Sequence, residues 1–115
     1  VVPAGWKLPT ESDIVSTLRA FLGSNAGTLL KESGTEHWLT GGGTPHTGFS
    51  GGGGGYRGAD GLSFNDFQQV GIWWSSASLE SVGAVFRLSA NSSVLEFNSG
   101  DNNSTGYSVR LLKED

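Results

Sequence analysis

Gly48-Phe-Ser-Gly-Gly-Gly-Gly-Gly-Tyr-Arg-Gly-Ala-Asp-Gly61, closed a few residues later by Gly71-Ile-Trp-Trp-Ser-Ser76, is the stretch on which the fold turns. Its five consecutive glycines lie between aromatic residues and run toward a tryptophan pair. A glycine held in one conformation costs about 0.5–1 kcal/mol more than alanine, so the run forgoes a few kcal/mol. Net stabilities of small domains are of the same order. Either this loop is mobile, or its backbone makes turns and close approaches that a Cβ would forbid. Phe49, Tyr56 and Trp73 read as anchors and favour the second alternative. More than half of the 19 glycines fall between Gly41 and Gly61, and a loop that long is rarely filler in a compact domain.

Downstream of the tryptophans the chain reads as antiparallel β, with strands expected at Ile72–Ser76, Ala84–Ser89, Val94–Asn98 and Tyr107–Leu112. A tight turn at Asn91-Ser92 would set Phe86 opposite Phe97, Leu88 opposite Leu95 and Arg87 opposite Glu96. Apolar then meets apolar and opposite charges meet on the other face, whereas a one-residue slip destroys all three pairs. Upstream, Thr10-Glu-Ser-Asp13 is a capping-box variant with Asp13 in place of the usual Glu or Gln. Ile14, Val15, Leu18, Phe21 and Leu22 follow as one apolar stripe at helical period, and Gly23 supplies a stop. One amphipathic helix over Glu11–Leu22 is expected, and Gly27–Lys31 and His37–Thr40 are short stretches between breaks.

A chain of 115 residues suits one domain. Charged residues make up only 16%, and Ser, Thr, Asn and Gly supply the polarity instead, the look of a loop-rich extracellular β protein. The net charge of −4 and the seven scattered cations give no concentrated positive patch, so nucleic acid and anionic membrane surfaces are not expected partners. No apolar run reaches the length of a membrane span. The absence of cysteine excludes disulfides and thiol or thiolate-metal chemistry. With no initiating methionine, the chain reads as a portion excised from a longer protein.

Pro3-Ala-Gly-Trp-Lys-Leu-Pro-Thr10 before a capped helix, then Gly48-Phe-Ser50, Gly55-Tyr-Arg57, Trp73-Trp-Ser-Ser76 and Gly106-Tyr-Ser-Val-Arg110, resembles the Fibrobacter succinogenes major paralogous domain family. The resemblance runs through nearly the whole chain. It implies an α+β, C-type-lectin-like fold, in the branch shared with formylglycine-generating enzymes and retroelement variable proteins. It also implies export and attachment to a bacterial surface or fibre protein; it does not imply a catalytic residue. The family usually carries Cys before Pro-Ala-Gly-Trp and after Ser-Val-Arg. Val2 and Leu111 stand there instead, and the resemblance implies an apolar contact between them. The glycine run replaces the family's usual Ala-Leu-Pro stretch, and the family's N-terminal strand lies outside this chain, which would leave a sheet edge open or filled by a neighbour.

Binding is expected in the polar loops of the C-terminal sheet, where a rigid scaffold presents variable side chains. The candidates are Trp74, Ser78, Glu80, Arg87, Asn91, Glu96, Asn98, Asp101, Asn102 and Asn103. Trp73 and Trp74 are adjacent and face opposite sides of a strand. The plain reading makes one core and the other a loop cover; the functional reading makes one a sugar-stacking platform. Arg57 and Arg110 read as structural, pairing with Asp60 or capping loop carbonyls. His37 and His46 lack metal-site spacing. No Gly-x-Ser-x-Gly elbow supports a serine triad. Asn98-Ser-Gly-Asp-Asn-Asn-Ser-Thr105 offers oxygens for calcium, but with one carboxylate it needs Glu96 or Asp66 to join. A plain polar turn is favoured there, and no cofactor is expected. The expected function is a non-enzymatic extracellular recognition or adhesion module for a glycan or protein on another cell surface. The alternative is an oligomeric, for example trimeric, tip of a surface fibre.

Overall fold

The computed structural model describes residues 2–39, 42–43, 49–79, 82–100 and 105–113. The first strand, β1 (Trp6–Lys7), pairs with the last, β7 (Leu112–Lys113), in the register Trp6↔Lys113 and Lys7↔Leu112. This pairing brings the two ends of the chain to one edge, where Val2 is exposed and Leu111 half-buried.

Between them the helix forms where the sequence places it. Helical turns run over Ser12–Arg19 and continue as Ala20–Leu22, here called α1. The capping box is reciprocal: Thr10 N–H donates to Asp13 Oδ2 at 2.9 Å and Asp13 N–H to Thr10 Oγ1 at 3.1 Å. Gly23 ends the helix with φ +76°. The turns over Ser12–Arg19 are of the wide π type, not the α type that the stripe suggests. Wider turns rotate each successive position further from the α register. Ile14 is buried and Leu18 and Leu22 pack against the core, but Phe21 swings outward and is 86% exposed. A 3₁₀ turn at Gly23–Asn25 then leads into a second short helix, α2 (Ala26–Leu30), which the glycine and serine breaks around it concealed.

The central sheet has the order β4 (Val70–Leu79), β5 (Val82–Ser89), β6 (Glu96–Ser99), all antiparallel. The β5–β6 register sets Phe86 opposite Phe97 and Arg87 opposite Glu96, as the side-chain matching requires. The connection is wider than a tight turn at Asn91-Ser92. β6 begins only at Glu96, and Leu95 turns inward to become fully buried. Three groups hold the loop in that shape. Gly27 N–H donates to the Ser93 carbonyl at 2.7 Å, Arg19 Nε to the Leu95 carbonyl at 3.1 Å, and Lys31 Nζ to the Ser89 and Ser92 carbonyls at 2.9 Å each. Lys31 is buried, and burial holds its pKa below the usual lysine value.

The expected strand over Tyr107–Leu112 is replaced by separate contacts. Gly106 bridges Arg57, Ser108 bridges Trp73, and only Leu112–Lys113 forms β7. A further two-stranded arm, β2 (Tyr56–Arg57) with β3 (Phe64–Asn65), projects beside β4. The fold is therefore α+β, with antiparallel pairing concentrated in the C-terminal half but divided among three sheets.

Alternation along β4 and β5 gives the central sheet two faces. Trp73, Phe86 and Leu88 turn toward the helices and, with Ile14, Ala26, Leu30, Trp38 and Leu95, make the main core. Trp73 stacks on Phe86 with ring centroids 5.4 Å apart, and Phe49 meets Trp73 edge-on at the same distance. Trp38 is fully buried and donates from Nε1 to the Gly51 carbonyl at 2.8 Å. Val70, Ile72 and Val85 form a second cluster on the opposite face, joined by Tyr56, Trp74 and Tyr107.

The glycine run is ordered by close approach. Gly51, Gly53 and Gly55 are buried, whereas Gly52 and Gly54 are not. A Cβ on Gly53 would lie 2.6 Å from the His37 carbonyl oxygen, and one on Gly55 2.1 Å from that of Asn65. The corresponding distance at Gly52 and Gly54 is 3.7 Å, ordinary contact. Close approach thus alternates along the run, which folds through a tight turn closed by Gly54 N–H to the Gly52 carbonyl at 3.0 Å and ends in a left-handed Gly55.

Candidate functional site

The face of the central sheet turned away from the helices carries a hollow. Its floor is aliphatic, from Val70, Ile72 and Val85, and its volume is about 230 Å³. Tyr56 and Tyr107 form one wall, with ring centroids 6.0 Å apart and planes inclined at 49°. Asp66, Arg87, Asn98 and Ser99 line the remainder.

Each wall is placed by backbone geometry. Gly55 bridges Gly71 and Ser108 bridges Trp73, both in parallel fashion along the free side of β4. Side chains alternate along such extended segments, so the neighbours Tyr56 and Tyr107 fall on the face opposite Trp73. Trp74 shares that face and meets Tyr107 edge-on, 4.8 Å between centroids. Asp66 adopts a left-handed conformation with φ +58°, and its carbonyl accepts from the amides of Gln69 and Val70. That turn delivers the carboxylate to the rim of the hollow from the base of the β2–β3 arm.

On the far wall, Arg87 Nε donates to Ser89 Oγ at 3.2 Å and lies 3.6 Å from Glu96 Oε1. Both partners lie along the strands, so the guanidinium is oriented through Nε and its two terminal nitrogens remain to meet a ligand. Among the described residues these nitrogens, the Asp66 carboxylate and the Asn98 amide have no hydrogen-bond partner in the protein.

Four of the sequence candidates, Trp74, Arg87, Glu96 and Asn98, therefore come together on one face. Two do not join them. Ser78 is at the β4–β5 tip and Asn91 is in the loop after β5, at the opposite end of the sheet. Among the described candidates, strand side chains rather than loop residues line this face. Glu80, Asp101, Asn102 and Asn103 lie outside the described residues, as do His46 and half of the oxygen-rich loop. Tyr56, Asp66 and Tyr107 were not among the binding candidates. The signal for the tyrosines is the Gly-Tyr dipeptide at residues 55–56 and again at 106–107. In both, glycine permits the close bridge and tyrosine is presented beyond it.

The WWSS motif resolves residue by residue. Trp73 is core and Trp74 covers the sheet's other face, packed on Gly83. Ser75 is buried and donates to the Ala84 carbonyl at 2.7 Å, satisfying the irregularity in β4 between Trp74 and Ser78. Ser76 N–H donates to the Pro9 carbonyl at 2.8 Å and ties down the N-terminal segment. Arg110 caps the Phe49 carbonyl at 3.0 Å and lies 4.5 Å over its ring. Arg57 makes no ion pair among the described residues, because Asp60 instead caps the amides of Leu62 and Ser63 within its own turn.

A second, shallower hollow lies beside the glycine run, between His37, Gly52–Gly54 and Phe67. Among the described residues its titratable group, His37, is engaged: His37 Nδ1 lies 2.6 Å from Glu32 Oε2, and that hydrogen bond and charge raise the imidazole pKa. Among the described residues no three His, Asp or Glu side chains gather as a metal ion would need. None of their helices is long and apolar enough to cross a membrane.

No curated protein and no solved structure gives a match to this chain. The family model of the Fibrobacter succinogenes major domain matches residues 1–113, all but the last two positions. The chain belongs to the Fibrobacter succinogenes major domain family.

Proposed function

We propose that this domain is a non-enzymatic recognition or adhesion module of a bacterial surface protein, binding a glycan or protein ligand outside the cell. The C-type-lectin-like arrangement and the extracellular location belong to this proposal and rest on the family resemblance. The observation that carries the binding role is the hollow on the helix-free face. It joins an aliphatic floor and two tyrosines to the Asp66 carboxylate, the Asn98 amide and the terminal nitrogens of Arg87, whose Nε alone is engaged by Ser89 and Glu96. Such a concave, mainly apolar surface with a few convergent polar groups is the usual form of a ligand site.

The test is adhesion of the purified chain to bacterial and host cells, compared with the Arg87→Gln/Asn98→Ala variant. Retention should fall at least tenfold while the circular dichroism spectrum is unchanged. Equal retention would overturn the assignment of this face. The second reading, an oligomeric fibre tip, is favoured by Leu62 and Phe64 on the β2–β3 arm, 83% and 79% exposed. Light scattering separates the two: a concentration-independent trimer that Phe64→Ser dissociates supports the tip, and a monomer supports recognition.

A further inference from the structure

We propose that the hollow between Tyr56, Tyr107 and Arg87 takes one neutral pyranose ring, held without a metal ion. This rests on the recognition role proposed above and narrows the ligand class. Size is the first argument. About 230 Å³ lies below the range of about 300–1,000 Å³ typical of sites for drug-sized ligands, so the hollow suits a single ring.

The second argument is the donor and acceptor inventory. The terminal nitrogens of Arg87 only donate, the Asp66 carboxylate only accepts, and the Asn98 amide does both. A row of hydroxyls can both donate and accept at neighbouring positions, and so answers all three groups at once. Charge is the third argument. Glu96, 3.6 Å from Arg87 Nε, offsets the guanidinium, and Asp66 adds a further negative charge at the rim. A carboxylate or phosphate ligand would meet this acidic surplus. An ammonium ligand would satisfy Asp66 but leave the guanidinium without an acceptor.

The walls complete the fit. Tyr56 and Tyr107 present their rings beside the aliphatic floor, a surface that suits the C–H face of a sugar while its hydroxyls turn to the polar rim. The role needs no cation, because every polar contact comes from side chains already in place.

The experiment is a titration of the ¹⁵N-labelled chain with methyl glucoside, methyl galactoside and methyl mannoside in the presence of EDTA. Glucuronate and glucosamine serve as charged counterparts. One ring with these contacts should bind with a dissociation constant of about 1–10 mM. At least one neutral glycoside should shift the amides of Val70–Ile72, Val85–Arg87 and Asn98, and Asp66→Asn should weaken that binding at least fivefold. Stronger binding of glucuronate or glucosamine at the same amides would overturn the neutral-sugar assignment while leaving a recognition site on this face. If no sugar shifts them but the Arg87→Gln/Asn98→Ala variant still loses cell adhesion, the ligand is a protein and the sugar assignment falls alone. Loss of both responses removes the site itself.

Discussion

At Gly55 the backbone has φ +67°, and a Cβ would sit 2.1 Å from a carbonyl oxygen; one residue earlier, Gly54 has neither constraint. The two residues look identical in the sequence, yet they should respond oppositely to the same change. Gly55→Ala combines a left-handed conformation with a backbone clash and should cost about 3 kcal/mol or more. Gly54→Ala should be neutral or gain about 0.4–1 kcal/mol, because alanine reduces the freedom of the unfolded chain. Urea midpoints of the two variants read this directly, and equal losses would show that the run is not the alternating segment described. The anchoring of the run by Phe49 and Trp73 was legible from their positions. Which glycines matter was not, since that depends on the carbonyls of His37 and Asn65, brought alongside by distant parts of the chain.

Among the elements, α1 and the β5–β6 pair were the most legible, because each is specified by a local pattern that checks itself. The capping box names both of its partners, and the Arg87–Glu96 register follows from alternation. The helix also carries a pH signature. The Thr10 backbone amide chiefly, with Lys7 at 3.2 Å, holds the Asp13 carboxyl below its ordinary value of 3.8. A lowered carboxyl pKa means that the unfolded chain binds the proton more tightly in acid. Its contribution is therefore fully present above pH 3.8 and is lost as pH falls through the folded-state value. Asp13→Ala should cost about 1 kcal/mol near neutral pH, the size of a typical cap, and its deficit should narrow once pH drops below 3.8. Thermal melts of the two proteins along that acid limb measure it; a constant deficit would assign the effect to packing. By contrast, α2 and the loop ending at Leu95 were hidden. Their shape comes from Lys31, Arg19 and Gly27 reaching carbonyls far along the chain, contacts with no sequence period.

For the molecule as a whole, the sequence conveyed that a sheet exists but not that its two faces divide the work. The helix-side face holds the core, and the other face holds the hollow whose walls come from the β2–β3 arm and the segment before β7. This division predicts a gradient of local stability. Strand β5 is paired on both sides, and its Ala84, Val85, Phe86 and Leu88 are at most 4% exposed. The arm is a ladder of two residues per strand, tipped by exposed Leu62 and Phe64. Isolated two-stranded ladders are marginal in water, and opening free energies in one protein run from near zero up to the global value. Amide hydrogen exchange should therefore be slowest at Val85–Leu88 and faster on the outer strand of the arm, at Phe64 and Asn65, than at Arg57. The Arg57 amide also donates to the Gly106 carbonyl at 2.8 Å. The arm carries Tyr56 and leads directly into Asp66, so it supplies one wall of the hollow. A ligand seated there must hold the arm in place, and saturating ligand should slow exchange at Asn65, which pairs with Tyr56, while leaving β5 unchanged. Protection of the unliganded arm equal to that of β5 would mean that the wall is rigid beforehand, and that binding on this face is not coupled to the arm.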